Sequence, residues 1–341
     1  MDNKEVFKDK AILITGGTGS FGREFARRLL EENLCTKVII FSRDEWKQWE
    51  MKQSEPIFSH PKIRYFLGDV RDPDRLKRAF SEVDFVIHAA ALKQVPAAEY
   101  NPTEFIKTNV QGATNVIDAA LEQGVEKVIA LSTDKAVNPV NLYGATKLCS
   151  DKLFVAAGSY VGHRGYPTFT VVRYGNVAGS RGSIIPLWAK LIKERASALP
   201  LTDPRMTRFW ITLPQSVDLV VKALEMGKGS EIIVPKIPSV KMIDLLKAMA
   251  PHIGYSVIGI REGEKIHELM IHSDDARHTL EFEDHFIILP EMMSHDSKRL
   301  AKFLGERQGK SLPDGFAYTS GDNSDWLTPQ AMKEFTQPFL V

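Results

Sequence analysis

The stretch Ala11-Ile-Leu-Ile-Thr-Gly-Gly-Thr-Gly-Ser-Phe-Gly22 predicts a buried strand, a tight turn and the start of a helix. Its glycines at 16, 19 and 22 follow the spacing Gly-x-x-Gly-x-x-Gly. Glycine at these places allows a sharp bend, close approach of the backbone to a pyrophosphate, and tight packing of helix on strand. The helix N-terminus would then face the anion. We therefore expect a dinucleotide site that includes Gly16, Thr18, Gly19, Ser20, Phe21 and Gly22.

Short apolar runs alternate with segments of helical period through the first half of the chain. Strands are predicted within residues 12–14, 38–41, 63–66, 85–87, 128–131 and 169–172. Nearly continuous β-branched runs separated by helices are typical of a parallel sheet covered on both faces. The predicted fold class is therefore α/β, with a Rossmann-type doubly wound parallel sheet and a smaller C-terminal substrate-binding lobe.

The organisation changes after about residue 175, where the elements become shorter and prolines punctuate the turns. Residues 1–175 are predicted to form the dinucleotide-binding Rossmann domain. Residues 176–341 are predicted to form mainly the substrate-binding lobe, with room for some segments to return to the sheet. A further strand is predicted within residues 231–234.

Composition excludes several classes of protein. The 341 residues include 44 basic and 43 acidic side chains, a net charge of +1, so no strong field attracts nucleic acid or an anionic membrane. Two cysteines provide neither a disulfide framework nor a metal cage. The first residues lack the apolar core of a signal peptide, and no run approaches about 20 apolar residues. We expect a cytoplasmic protein without nucleic-acid, membrane or metal partners.

The end of the second predicted strand bears on cofactor choice. A carboxylate usually stands there to bind the ribose hydroxyls of NAD, whereas this chain has Ser42 and Arg43, with Lys47 one turn later. These cations favour the 2′-phosphate of NADP, although solvated surface residues would look the same. Asp44 would supply the NAD-type carboxylate if the register differed by one residue. Residues 69 and 70 (Asp69 and Val70) follow the third strand, where similar folds bind the adenine.

A Tyr-x-x-x-Lys pair lies on a predicted helix at Tyr143 and Lys147. One helical turn separates them, so both side chains lie on one face. A nearby ammonium favours the phenolate, so we expect the pKa of Tyr143 to lie below its ordinary value of about 10. Such a tyrosine could remove a hydroxyl proton while hydride leaves for a cofactor. The segment Ser132-Thr-Asp-Lys135 follows the fifth strand and adds polar groups.

Together these motifs resemble the extended short-chain dehydrogenase/reductases and, within them, the nucleotide-sugar 4,6-dehydratases. Ordinary members of that group have Thr-Asp-Glu where this chain has Thr133-Asp-Lys135. The chain is similar, from about residue 8 to about residue 327, to the inverting UDP-N-acetylglucosamine 4,6-dehydratases of pseudaminic acid biosynthesis. The segments that carry this similarity are Thr133-Asp-Lys135, Ala89-Ala-Ala-Leu-Lys-Gln-Val-Pro96, Val172-Arg-Tyr-Gly-Asn-Val177 and Met206-Thr-Arg-Phe-Trp210.

The resemblance implies a reaction and roles for particular residues. Oxidation at C4 of UDP-N-acetylglucosamine, loss of water across C5 and C6, and return of hydride at C6 with inversion of C5 would give UDP-2-acetamido-2,6-dideoxy-β-L-arabino-hex-4-ulose. Tyr143 would take the C4 hydroxyl proton and Thr133 would hydrogen-bond O4. Asp134 would protonate O6, and Lys135 would take the C5 proton. Neighbouring positive charge would lower the pKa of Lys135 and leave it a neutral base.

The resemblance also implies binding residues and partners. Ala89, Ala91, Lys93 and Lys147 would lie beside the cofactor, which is taken to be NADP. The nucleotide sugar would contact Lys93, Asn176, Val177, Arg181, Thr202, Arg208, Arg261 and Glu264. Relatives of this kind form homo-oligomers, so a dimer or hexamer is expected. The pathway would lead to pseudaminic acid and to the glycosylation of flagellin.

Two other functions stay open. A retaining UDP-sugar 4,6-dehydratase or a C4 epimerase would use the same oxidation, although an epimerase would not need the Asp134–Lys135 pair. A non-catalytic NADP-binding regulator would share the fold. Such regulators tend to lose the Tyr or Lys of Tyr-x-x-x-Lys, whereas this chain keeps Tyr143 and Lys147.

Overall fold

The computed structural model describes residues 5–162, 165–180, 182–291, 297–305 and 309–340. Its α-helices are α1 (Ser20–Glu31), α2 (Glu45–Ser54), α3 (Pro73–Phe80), α4 (Val95–Tyr100), α5 (Pro102–Phe105), α6 (Gly112–Gln123), α7 (Leu142–Ala157), α8 (Ile184–Lys193), α9 (Leu213–Met226), α10 (Met242–Met249), α11 (Ser297–Leu304) and α12 (Pro329–Leu340). A π-helical segment, Ile106–Gln111, joins α5 to α6. No helix in the described ranges is both long and apolar enough to cross a bilayer.

The strands follow the predicted alternation in the first half of the chain. They are β1 (Ala11–Thr15), β2 (Lys37–Ser42), β3 (Ile63–Leu67), β4 (Phe85–His88), β5 (Lys127–Thr133), β6 (Thr168–Tyr174), β7 (Asn176–Val177), β8 (Ala198–Leu201), β9 (Thr207–Ile211), β10 (Glu231–Pro235), β11 (Ser239–Lys241), β12 (Gly254–Val257), β13 (Leu269–Ile271), β14 (Thr279–Glu281), β15 (His285–Ile288), β16 (Lys310–Ser311) and β17 (Tyr318–Thr319). Short 3-10 helices are Glu5–Phe7, Pro56–Ser59, Asp134–Ala136, Gly158–Tyr160 and Ser273–His278.

The largest sheet has ten strands in the order β16-β14-β15-β10-β6-β5-β4-β1-β2-β3. Neighbouring strands from β10 to β3 are parallel, whereas β15, β14 and β16 pair antiparallel. The order reverses beside β1, with β2 and β3 on one side and β4 to β6 on the other. That arrangement is doubly wound, and the fold class predicted from the sequence is confirmed.

Both faces of the parallel region are covered. Every residue of β1 and β4 is buried, although side chains alternate between the two faces along a strand. Helix α1 packs against α9, while α3 packs against α6 and α6 against α7. Each apolar strand therefore finds partners on both sides, which explains why its hydrophobic pattern is continuous and does not alternate.

Residues beyond 175 divide between this sheet and a smaller lobe. Strands β10, β14, β15 and β16 join the large sheet, so the strand predicted within residues 231–234 lies there. The smaller lobe contains the β11-β9-β7 sheet and an apolar core around Trp188, Leu199 and Leu245. The domain boundary after residue 175 stays a prediction.

Candidate active site

The segments that follow the parallel strands line a cavity of about 700 Å³. Ligands of doubly wound sheets bind at this edge, beside the reversal of strand order. Segments after β1 to β6 contribute to its wall, as does the smaller lobe. The residues predicted from the sequence that line it are Gly16, Thr18, Gly19, Ser20, Phe21, Gly22, Ser42, Arg43, Asp44, Lys47, Asp69, Val70, Ala89, Ala91, Lys93, Thr133, Lys135, Tyr143, Lys147, Asn176 and Val177.

The glycine turn between β1 and α1 fits a pyrophosphate. Gly16 has a φ of +66°, and a Cβ there would lie 2.9 Å from backbone atoms of Ala90. A side chain would be strained and would fill space that the turn leaves open. Gly19 is the N-cap of the 12-residue helix α1 and provides no side-chain cap. The positive end of the helix dipole therefore suits a diphosphate at this point.

The residues after β2 would adjoin the ribose of an adenosine. Ser42 is buried, with its hydroxyl oxygen 3.1 Å from that of Thr18. The Asp44 carboxylate caps α2, accepting from the Lys47 N–H at 3.0 Å and pairing with Lys47 Nζ at 2.9 Å. These hydrogen bonds from Lys47 lower the pKa of Asp44. The Arg43 side chain is 51% exposed beside them and can reach an anion. The cavity wall at this point carries the cations of Arg43 and Lys47, and the carboxylate of Asp44 is already paired with Lys47.

Asp69 stands at the end of the cavity, after β3. Burial would raise its pKa, but hydrogen bonds from Arg71 outweigh burial and lower it. Arg71 Nη2 lies 2.7 Å from Asp69 Oδ2, and Arg43 Nη1 lies 3.6 Å from the same oxygen. Asp69 is therefore an ionised group that holds two arginines at the cavity edge.

The Thr-Asp-Lys segment lies where β5 ends and the 3-10 turn Asp134–Ala136 begins. Thr133 Oγ1 donates to Asp134 Oδ1 at 2.9 Å, and Lys135 Nζ donates to the same oxygen at 3.1 Å. Lys135 Nζ also lies 3.3 Å from Glu268 Oε1 and 3.4 Å from Asn176 Oδ1. Asp134, predicted to be catalytic, is fully buried and does not itself line the cavity, and its Oδ2 has no hydrogen-bond partner among the described residues. The lysine is held between two carboxylates at the cavity wall.

The charge of Lys135 differs from the sequence-based expectation. Burial alone would lower its pKa, but the carboxylates of Asp134 and Glu268 outweigh burial and raise the pKa above its ordinary value. Burial raises the pKa of Asp134, against the opposing effects of Lys135 and Thr133. The expected lowering for Lys135 is wrong because two carboxylates lie beside the amine: that of Asp134, adjacent in sequence, and that of Glu268, distant in sequence.

Tyr143 and Lys147 lie in the first turns of α7. Burial raises the pKa of Tyr143 to about 12, although Lys135 and a hydrogen bond with Thr133 act in the opposite direction. Lys147 Nζ donates to the Leu131 carbonyl oxygen at 2.8 Å, and burial lowers its pKa. The expected lowering for Tyr143 is therefore wrong, since the loss of water around the phenol exceeds the effect of nearby cations.

Asn109 fixes the loop after β4 and was not identified from the sequence. It is buried in the π-helical segment Ile106–Gln111. Its Oδ1 accepts from the Leu92 N–H at 2.8 Å, and its Nδ2 donates to the Leu92 carbonyl at 2.9 Å and to Thr146 Oγ1 at 3.0 Å. One amide thus ties the loop that carries Lys93 to the helix that carries Tyr143. Single π-helical turns are frequent at functional sites, but no residue pattern in this stretch distinguishes one from an α-helix.

The predicted substrate residues of the cavity wall come from two segments. Asn176 and Val177 form β7, which pairs with β9 of the smaller lobe. Lys93 lies in the loop after β4. Burial of its ammonium, together with the charge of Lys135, lowers its pKa. Arg181, also predicted to bind substrate, lies outside the described residues.

The other predicted substrate residues do not line this cavity. Arg208 is buried, with its Nε 3.6 Å from Glu268 Oε1. Arg261 pairs with Glu264 at 3.0 Å. Thr202 directly follows β8. Their roles toward a substrate stay predictions.

Glu268 is the other residue that sequence reasoning missed. It is 2% exposed, and its Oε2 has no hydrogen-bond partner among the described residues. Burial would raise its pKa, but Lys135, Arg208 and Lys265 outweigh burial and lower it. Its one sequence signal is its position just after the Arg261–Lys265 stretch, and nothing local relates it to Lys135.

Comparison with known proteins gives one family. A family model described as polysaccharide biosynthesis protein matches residues 12–290. The chain is 55% identical over 331 residues to a Campylobacter jejuni protein named UDP-N-acetylglucosamine 4,6-dehydratase (inverting), covering 96% of this chain and 98% of that one. It is 41% identical over 324 residues to a Rickettsia akari protein named UDP-glucose 4-epimerase, covering 86% and 94%.

A solved structure resembles the whole chain. The X-ray structure of Pen from Bacillus thuringiensis superposes with a TM-score of 0.86 at 35% identity, covering 98% of this chain and 99% of that one. The similarity therefore includes the smaller lobe as well as the parallel sheet.

Proposed function

Because the chain belongs to the polysaccharide biosynthesis proteins, a family of extended short-chain dehydrogenase/reductases, we propose that it is an inverting UDP-N-acetylglucosamine 4,6-dehydratase, a hydro-lyase. The observation that carries the proposal is the hydrogen bond between the buried Asp134 and Lys135, which lines the cavity together with Tyr143. An epimerase needs a base at the C4 hydroxyl, but it has no use for an acid and a base at C6 and C5.

The residues divide the chemistry between C4 and the C5–C6 bond. The glycine turn and Lys147 would hold a nicotinamide cofactor, which would supply the hydride acceptor for C4 and the hydride donor for C6. Tyr143, once ionised to the phenolate, would take the C4 hydroxyl proton, and Thr133 would hold the same oxygen. The C4 ketone acidifies the C5 hydrogen, so Lys135 can remove it while Asp134 gives a proton to the departing O6. Water leaves, and the sugar gains a C5–C6 double bond conjugated to the ketone.

One proton shared by Asp134 and Lys135 prepares both groups. Lys135 Nζ and Asp134 Oδ1 are 3.1 Å apart, a hydrogen-bond distance. Transfer of one proton from the ammonium to the carboxylate gives a neutral amine and a carboxylic acid, with no change of net charge. The raised pKa of Asp134 reduces the free-energy cost of that transfer, whereas the raised pKa of Lys135 increases it. The active form of the pair therefore carries a single proton.

We further propose NADP as the cofactor and inversion at C5 as the outcome. Arg43 and Lys47 supply cations for a 2′-phosphate at the wall of the cavity. Delivery of a solvent-derived proton to C5 on the face opposite Lys135 would give the β-L-arabino product. A cytoplasmic enzyme, a homo-oligomer and the first step toward pseudaminic acid for flagellin glycosylation complete the proposal, by analogy with the relatives that the sequence resembles.

Proton NMR in D2O with UDP-N-acetylglucosamine and NADP tests the proposal. We expect a 4-keto-6-deoxy sugar with deuterium at C5 and L-arabino geometry. Lys135→Ala should lose turnover and C5 exchange together, by about 100-fold or more, the size expected for a positioned acid–base group.

The other functions give different spectra. D-xylo geometry at C5 would make the enzyme a retaining dehydratase. A product that keeps its C6 hydroxyl and changes only at C4 would make it an epimerase. Bound NADP without turnover of any UDP-sugar would favour the non-catalytic regulator.

A further inference from the structure

Lys135 is held from outside its own segment by Glu268, which lies in a different part of the chain. The two side chains approach to 3.3 Å, and Glu268 itself does not line the cavity. Glu268 contacts the amine of Lys135, which does line the cavity, so its carboxylate can influence a substrate through Lys135. An acid–base group whose orientation is set by a third, buried group is the arrangement of catalytic triads.

The position of Glu268 is fixed by several contacts. Ser320 brackets its backbone: the Glu268 N–H donates to Ser320 Oγ at 2.9 Å, and the Ser320 N–H donates to the Glu268 carbonyl at 2.8 Å. Arg208 Nε lies 3.6 Å from the carboxylate, and Arg208 Nη1 donates to the Ile266 carbonyl at 3.1 Å. These bonds fix the backbone at Glu268, and the side chain is 3% exposed, so the fold limits how far the carboxylate can move from Lys135.

The segment that carries Glu268 also contacts the loop that follows Lys135. Asn141 Nδ2 donates to the Gly263 carbonyl at 2.7 Å. Lys265 Nζ donates to the Val137 carbonyl at 2.6 Å. The stretch that leads to Glu268 is thus attached, at Gly263 and at Lys265, to the segment between Lys135 and Tyr143.

We infer that Glu268 is a positioning residue, which holds the Lys135 amine at the cavity wall and keeps one proton on the Asp134–Lys135 pair. This inference rests on the proposed function for its catalytic consequence, but the ion pair can be tested without turnover. When Lys135 takes the C5 proton, Glu268 stabilises the ammonium that forms. Glu268 contributes no atom to the reaction.

Several charged groups besides Glu268 face Lys135. Asp134 adds a negative charge, whereas Arg208, Lys93 and Lys265 add positive charge. Glu268 raises the pKa values of both Asp134 and Lys135. Replacing it with the isosteric glutamine should therefore move both pKa values of the coupled pair to lower pH.

The first test measures the amine of Lys135 in the protein without substrate. Acetic anhydride modifies only neutral amines, and peptide mass spectrometry reports the rate at Lys135 relative to the exposed Lys190. In Glu268→Gln we expect the Lys135 pKa to fall by about 1 unit or more, the size of a close charge effect. The rate of acetylation at pH 9 should rise about tenfold for each unit.

The second test follows kcat and KM against pH. Glu268→Gln should lower kcat about tenfold or more through misplacement of the amine, with little change in KM. Both limbs of the bell-shaped profile should move to lower pH. Glu268→Asp keeps the charge, so its limbs should stay near those of the wild type while kcat recovers only in part.

Glu231→Gln is the matched control, because Glu231 is another buried carboxylate, on β10, outside the cavity wall. We expect it to leave unchanged the Lys135 acetylation curve and both limbs of the pH profile of kcat. If the Lys135 acetylation curve and the pH profile of kcat in Glu268→Gln coincided with those of the wild type, the inference would be overturned, even if kcat fell. A wild type that binds NADP but dehydrates no UDP-sugar would refute the proposed function, and the acetylation experiment would still decide the role of Glu268.

Discussion

The guanidinium of Arg43 bears on the choice between the two nicotinamide cofactors. It is half exposed at the cavity edge, and its Nη1 lies 3.6 Å from Asp69 Oδ2. A hydrogen bond to a charged group contributes about 1.5–3 kcal/mol, which corresponds to roughly 10- to 100-fold in affinity. We therefore expect Arg43→Ala to weaken NADP binding by that factor and NAD binding by less than about threefold, as measured by calorimetry.

Lys52→Ala is the control for this prediction. Lys52 lies in the last turn of the same helix, α2, and is exposed outside the cavity wall. Its removal changes the net charge equally but should leave both affinities unchanged. Equal losses for NADP and NAD in Arg43→Ala would contradict a role for Arg43 at the 2′-phosphate.

Helix α7 can carry Tyr143 to the Thr-Asp-Lys turn because residue 144 is glycine. A Cβ on Gly144 would overlap the Lys135 carbonyl oxygen and would lie 3.0 Å from Pro139 Cβ. Gly144→Ala should therefore push the start of α7 away from the turn and separate Tyr143 from Lys135. Displacements near 1 Å cost about 100-fold in rate, so we expect a loss of at least tenfold in kcat.

The matched change is Gly254→Ala in β12, where the nearest atom to an added Cβ is 4.0 Å away. It should leave kcat unchanged. NADP affinity should change little in Gly144→Ala, since the glycine turn belongs to a different element. A full loss of NADP binding together with kcat would mean that the substitution unfolds the parallel sheet and does not act locally.

The elements that could be predicted from the sequence are those whose functional residues lie close together along the chain. The turn between β1 and α1 has its own glycine spacing, and the end of β5 is followed by Tyr143 and Lys147 within a few turns of chain. Burial on both faces explains why strands were visible as continuous apolar runs. Neither Asn109 nor Glu268 could be found this way, since each acts across the fold on a residue that is not its neighbour.

The charge of Lys135 could not be predicted for the same reason. Local sequence offered Asp134 as well as nearby cations, whereas only the folded chain brings a second carboxylate, Glu268, to 3.3 Å from Nζ. The return of β10, β14, β15 and β16 to the large sheet was likewise beyond local patterns, because short strands after residue 175 can pair in either lobe. Hydrophobic periodicity identifies an element but does not specify its neighbours.

At the scale of the whole molecule, the C-terminal segment joins the two lobes. The Tyr318 ring packs 5.2 Å from Phe286 of the large sheet and 4.7 Å from Phe209 of the smaller one, measured between centroids. Its hydroxyl donates to the Ile237 carbonyl at 2.9 Å and accepts from the Ile237 N–H at 3.0 Å. Helix α12 then packs against α8 and α10. After β17, the chain therefore ends in a helix that packs on the smaller lobe.

Tyr318→Phe should lower the free energy of unfolding in a pH-dependent way. Loss of the hydroxyl removes the acceptor of the Ile237 N–H, whereas the Ile237 carbonyl keeps its hydrogen bond from Asn323 Nδ2 at 2.9 Å; the expected cost is about 1–3 kcal/mol below pH 10. Burial raises the pKa of Tyr318 to about 12, so the neutral phenol stabilises the fold fully below pH 10 and loses that effect as the pH rises toward 12. Phenylalanine does not titrate, so the difference in free energy of unfolding between wild type and variant should shrink over that interval.

Urea unfolding at pH 8, 10 and 11 measures this difference, with the exposed Tyr160→Phe as a control that should match the wild type throughout. A difference that stays constant to pH 11 would mean that Tyr318 contributes through its ring contacts and not through the buried hydroxyl.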